Sequence, residues 1–132
     1  MACVAIVDDS EDTLELLEII LKGHHQIISF SDPYKFLEEF ASGIFALILL
    51  DISMPEMNGY EVFRRIREID SDVPVCALTA AAGPAEKERA LREGFCDYFV
   101  KPFLDINRFR QTVYSHIGEC SNPPYDHDRP AA

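Results

Sequence analysis

Phe45-Ala46-Leu47-Ile48-Leu49-Leu50-Asp51 is the stretch on which the fold turns. Its apolar residues follow one another without polar alternation, and the run stops on a carboxylate. A strand with one wet face alternates apolar and polar residues; a strand covered on both faces does not. The run therefore predicts an interior strand of a parallel sheet sandwiched by helices, with Asp51 emerging at its carboxyl end.

Working outward, residues 4–7, 26–30, 73–78 and 97–100 are further short apolar runs, so that with 45–50 the chain holds five strand candidates. The segments between them carry helical punctuation. Leu14, Leu17 and Leu21 recur at helical spacing, and Gly23 suits a helix C-terminus. Ser31-Asp32-Pro33 supplies an N-cap and a first-turn proline for a second helix, with Phe36, Leu37 and Phe40 inward and Gly43 as its stop. A third helix spans about 60–69 with Val62, Ile66 and Ile69 inward, and a fourth runs from near Pro84 to Gly94. A fifth spans about 106–117 with Phe109, Val113 and Ile117 inward. Five β-then-α units with right-handed crossovers predict one doubly wound, three-layer α/β domain over residues 1–117. Residues 118–132, with three prolines and no period, read as a C-terminal tail.

Bulk properties exclude several function classes. At 132 residues, with 48% hydrophobic and 27% charged content, the chain suits one globular domain. Its longest apolar run, 44–50, falls far short of the roughly 20 residues that span a bilayer. The N-terminus lacks a signal peptide's basic start and cleavage site, so a cytoplasmic location and no membrane association are expected. A net charge of −11 argues against direct nucleic-acid binding by this chain. Cys3, Cys76, Cys96 and Cys120 have no metal-ligand spacing, and the first three are expected to be buried in strand-like runs.

Ligands of a doubly wound sheet bind off the carboxyl ends of its strands. The first run ends in Asp8-Asp9, the third in Asp51, the fourth in Thr79 and the fifth in Lys101-Pro102. Any one of these alone reads as a helix cap or a turn residue. Five at the ends of four strands are hard to obtain from capping. Three carboxylates at one edge repel unless a cation sits among them, and an oxygen-only donor set favours Mg²⁺ over zinc. The Thr79 hydroxyl and Lys101 ammonium add groups suited to phosphoryl oxygens.

The stretches Val7-Asp8-Asp9, Asp51-Ile52-Ser53-Met54-Pro55-Glu56-Met57-Asn58-Gly59, Leu78-Thr79-Ala80 and Tyr98-Phe99-Val100-Lys101-Pro102-Phe103 resemble the receiver domains of bacterial two-component response regulators. The resemblance covers about residues 3–117 and implies a flavodoxin-like sheet in strand order 2-1-3-4-5. It implies that Asp51 is the phosphoacceptor and that Mg²⁺ is bound by Asp9 and Asp51 with the Ser53 backbone carbonyl. Asp8 would act chiefly through an outer-shell water. It further implies that Thr79 and Lys101 contact the phosphoryl group, that Tyr98 is the switch aromatic, and that Lys101–Pro102 is a cis peptide. The implied donor is a sensor histidine kinase or histidine phosphotransfer protein. The implied output is a downstream protein, or an output domain outside this chain, reached through the fourth helix, fifth strand and fifth helix. Dimerisation on phosphorylation stays open, as does whether the receiver stands alone. The resemblance also implies that Ser53 and Ala81 flank the line of approach of a hydrolytic water, and Ala81 offers no group to orient one.

Two other readings compete. An aspartyl-phosphate phosphohydrolase would carry a second acid two residues after its nucleophile, where this chain has Ser53. A pseudo-receiver would lack an acceptor or pocket acid, whereas Asp8, Asp9, Asp51, Thr79 and Lys101 are all present.

Overall fold

The computed structural model describes residues 3–118 except 22, 24, 56, 81, 82 and 104. Ten elements alternate along the chain: β1 (Cys3–Val7), α1 (Glu11–Leu21), β2 (Gln26–Phe30), α2 (Pro33–Glu39), β3 (Leu47–Asp51), α3 (Gly59–Ile69), β4 (Val75–Thr79), α4 (Pro84–Glu93), β5 (Asp97–Val100) and α5 (Ile106–Gly118). The strands form one parallel sheet in the order β2-β1-β3-β4-β5. The order reverses between β1 and β3, which opens a crevice at their carboxyl ends.

β1, β3 and β4 are buried along their whole length, as unalternating apolar runs require. One face of the sheet packs on α1 and α5 through Leu14, Leu17, Leu21, Phe109, Val113 and Ile117. The other packs on α2, α3 and α4 through Phe36, Tyr60, Val62, Phe63, Ile66 and Ala90. Under α2, Phe36 stacks on Phe40 and Phe45 at centroid distances of 5.5 and 6.2 Å, and Phe30 meets it edge-on at 5.2 Å.

Local chemistry sets the helix ends. Asp32 caps α2 by accepting the Tyr34 N–H at 2.9 Å, with Pro33 in the first turn. Asn58 caps α3 through the Glu61 N–H at 3.0 Å. Gly94 closes α4 in the left-handed region at φ 116°, which only glycine adopts freely.

Several expectations shift. β3 starts at Leu47, because the Phe45 ring leaves the strand line to join the phenylalanine cluster. β4 starts at Val75, just past Pro74, which has no N–H to give to the ladder. Leu37 is half-buried rather than core. Ile69, expected inward, is 47% exposed: it is the last residue of α3, and it lines a surface groove with Leu37, Glu61, Arg64, Arg65 and Glu68. Cys3 and Cys76 are buried, but Cys96 is exposed, because it lies in the turn before β5 and not in the strand. α5 runs through Gly118, and the remainder of the expected tail, with Cys120, lies outside the described residues, as does Ala81. No helix among the described residues is long and apolar enough to cross a membrane.

Candidate phosphoacceptor site

Strand register brings the predicted residues to one edge. Val7 pairs with Leu50, Asp51 with Leu78, and Thr79 with Val100, so the carboxyl ends of β1, β3, β4 and β5 lie side by side. Backbone bonds continue the alignment past the strands, from Ile52 N–H to the Leu78 carbonyl at 3.1 Å and from Lys101 N–H to the Thr79 carbonyl at 2.8 Å.

Asp8, Asp9 and Asp51 each present a carboxylate oxygen, and these oxygens lie within 4.8 Å of one another. Asp8 is fully buried and Asp51 is 3% exposed, whereas Asp9 sits at the rim in solvent. Short backbone turns aim the two buried acids. Asp51 Oδ1 accepts the Ser53 N–H at 2.9 Å, and Asp8 Oδ1 accepts the Ser10 N–H at 2.9 Å. Their other oxygens face Lys101, whose Nζ lies 2.6 Å from Asp8 Oδ2 and 3.4 Å from Asp51 Oδ2.

The electrostatics follow from this crowding. Burial pushes the Asp51 carboxyl up to about 6; the Ser53 N–H and Lys101 pull against it, and the Asp8 charge adds to it. Burial also works against the Lys101 ammonium, but its bonds and charge attraction to Asp8 and Asp51 outweigh this and hold its pKa above the usual value. One ammonium thus serves a three-carboxylate cluster. An all-oxygen donor set with an exposed rim suits a hard divalent cation such as Mg²⁺.

Thr79 is fully buried, and its hydroxyl shares a hydrogen bond with the phenol of Tyr98, which is 8% exposed. The Lys101–Pro102 peptide is cis. Ser53 is exposed beside Asp51. The approach of α3 to the loop after Asp51 depends on Gly59: a Cβ there would collide with the backbone of Ile52 and lie 2.6 Å from the Asp51 carbonyl oxygen. Two contacts were not read from the sequence: Arg89 over the Tyr60 ring, and, at the far end of β5 from the site, His116 against Asp97 at 3.0 Å. Neither leaves a sequence signal, since an exposed arginine and a half-buried histidine carry no periodic pattern.

Comparison with known proteins identifies the family and the fold. The family model described as the response regulator receiver domain matches residues 4–114. An uncharacterized 14.6 kDa protein in the sodA1 3′ region of Leptolyngbya boryana is 36% identical over 110 residues, covering 81% of this chain and 84% of that one. The transcriptional regulatory protein PrrA of Mycobacterium tuberculosis is 35% identical over 102 residues, which are 76% of this chain and 44% of PrrA. Among solved structures, the BeF3-activated DrrB receiver domain is similar with a TM-score of 0.80 and 27% identity, covering 89% of this chain and 98% of that one. The non-phosphorylated HemR receiver domain from Leptospira biflexa gives a TM-score of 0.82 at 25% identity, covering 95% and 100%.

A five-stranded parallel domain with an acidic pocket at its crevice is thus a signalling receiver. The chain belongs to the response regulator receiver domain family. It spans most of the Leptolyngbya boryana relative but less than half of PrrA.

Proposed function

We propose that Asp51 accepts a phosphoryl group from a phosphohistidine on a sensor histidine kinase or histidine phosphotransfer protein. The observation that carries this reading is the convergence of Asp8, Asp9 and Asp51 within 4.8 Å, with Lys101 paired to two of them. Asp8, Asp9, Asp51 and the Ser53 backbone carbonyl are the groups that would hold Mg²⁺. When bound, Mg²⁺ supplies positive charge against the carboxylates and the incoming phosphoryl oxygens.

An Asp51 carboxylate oxygen attacks phosphorus, and the phosphorus–nitrogen bond breaks with its electron pair leaving on the imidazole. The Ser53 N–H holds the other Asp51 oxygen, which fixes the attacking one. The product carries close to two negative charges. Lys101 and the Thr79 hydroxyl then bind phosphoryl oxygens. Drawing Thr79 toward the phosphoryl group withdraws its bond from Tyr98, so the two side chains form the bistable element. Couplings of this kind are worth about 1–3 kcal/mol, enough to shift a population.

The signal leaves through α4, β5 and α5, toward a downstream protein or an output domain outside this chain. The domain acts in the cytoplasm and catalyses only its own phosphorylation and dephosphorylation. Incubation with acetyl phosphate and Mg²⁺, followed by intact-mass measurement, tests the assignment. One added phosphoryl group that disappears in Asp51→Asn is expected; no addition, or addition that survives the substitution, overturns it.

A further inference from the structure

α4 is held to the domain by very little. Of its ten residues, Ala90 alone is buried. Its neighbours Arg89 and Leu91 are exposed, and no side chain caps its N-terminus at Gly83. A directed side-chain contact from α4 across to α3 is made by the Arg89 guanidinium, which lies 4.1 Å from the centroid of the Tyr60 ring. A cation over a tyrosine face is attracted by the ring's quadrupole.

Tyr60 itself is unusual. The residue is 6% exposed, its ring meets Phe95 edge-on at 5.8 Å, and its hydroxyl is buried with no hydrogen-bond partner among the described residues. A buried hydroxyl without a partner costs stability in the conformation that leaves it so. Tyr98 and Glu86 both lie close enough to act on the Tyr60 phenol electrostatically, and Glu86 acts on Tyr98 as well. Tyr60 thus sits where α3, α4 and the Thr79–Tyr98 pair meet.

We propose that Tyr60 is a positioning residue of the switch: its ring, under Arg89, latches α4 in the conformation described, and its hydroxyl gains a partner when Tyr98 and α4 rearrange. The first half stands on the geometry alone. The second half rests on the phosphoacceptor reading, because it needs a phosphoryl group to move Thr79.

Hydrogen exchange of the α4 amides, read on the full chain before and after acetyl phosphate with Mg²⁺, tests both halves. Before acetyl phosphate, Arg89→Ala is expected to exchange roughly two- to five-fold faster across α4 than the parent, the range set by a cation–π contact at an exposed site. Arg89→Lys keeps a cation and is expected to recover part of the difference. Tyr60→Phe keeps the ring and removes the unpartnered hydroxyl, so its starting exchange should be no faster than the parent's, while its change in α4 exchange on phosphorylation should shrink. Parental exchange in Arg89→Ala overturns the latch, and a full phosphorylation response in Tyr60→Phe overturns the role of the hydroxyl. Intact mass on the same samples separates the readings. If no phosphoryl group is gained, the acceptor assignment and the hydroxyl's role fall together, and the starting exchange of Arg89→Ala still decides the latch.

Discussion

The Lys101 ammonium is gripped by Asp8: Nζ lies 2.6 Å from Asp8 Oδ2 at the floor of the acidic crevice. Asp51 is the more distant of the two acids it serves, at 3.4 Å. Lys101 therefore does two jobs. It neutralises a fully buried carboxylate, and it holds the Asp51 oxygen at the longer distance.

Removing that ammonium strands two buried charges. Lys101→Ala is expected to destabilise the metal-free chain by about 3 kcal/mol, because breaking one side of a buried ion pair leaves the other uncompensated. Urea denaturation in chelator measures this. Mg²⁺ should restore more stability to the variant than to the parent, since the cation substitutes for the lost charge.

The raised Asp51 carboxyl makes stability depend on pH. Its pKa lies at about 6 in the folded chain, above its ordinary value, so folding favours the protonated form. The stabilisation is therefore complete below about pH 4 and is lost as pH rises through about 6, amounting to about 3 kcal/mol at most. In chelator, the stability difference between parent and Asp51→Asn should fall across this window and flatten above it. A difference independent of pH would contradict the desolvated environment.

Gly59→Ala tests the close approach of α3 to the acceptor loop. The new methyl group meets backbone at Ile52 and Asp51, which cannot rotate away as a flexible side chain would. A loss of at least about 2 kcal/mol in denaturant melts is expected, toward the upper range for overpacking. Phosphorylation by acetyl phosphate should slow as well, because the loop carrying Asp51 must shift to make room.

Thr79→Ala separates acceptance from transmission. The substitution leaves Asp51, Asp8 and Lys101 in place but deprives the buried Tyr98 phenol of its Thr79 partner. A cost of about 1–3 kcal/mol is expected for the orphaned hydroxyl. Intact mass should still show phosphoryl gain, while the exchange response of α4 is lost.

The candidate site was readable in the sequence because an unalternating run such as Leu47-Ile48-Leu49-Leu50 reads as a strand covered on both faces, and the carboxylate that ends it marks the strand's carboxyl end. The residue that ends each run thus marks the sheet's carboxyl edge, and parallel register, with the backbone bonds just past the strands, brings Asp8, Asp51, Thr79 and Lys101 to that edge. What periodicity does not encode is side-chain reach. The preference of Lys101 for Asp8 over Asp51 is set by less than an ångström in the folded crevice. Ile69 fits the inward stripe by spacing, yet the helix ends there and leaves it on the surface. The meeting of Arg89 and Tyr60 joins two helices whose faces look ordinary when read separately.

The phenylalanines beneath α2 give the domain one stiffly packed side. Phe30, Phe36, Phe40 and Phe45 interlock ring against ring, so the shoulder built from β2 and α2 moves as one piece with the sheet. A partner that grasped that shoulder would be bound equally well at any moment of the signalling cycle. It would learn where the domain is, and nothing about what has happened to it.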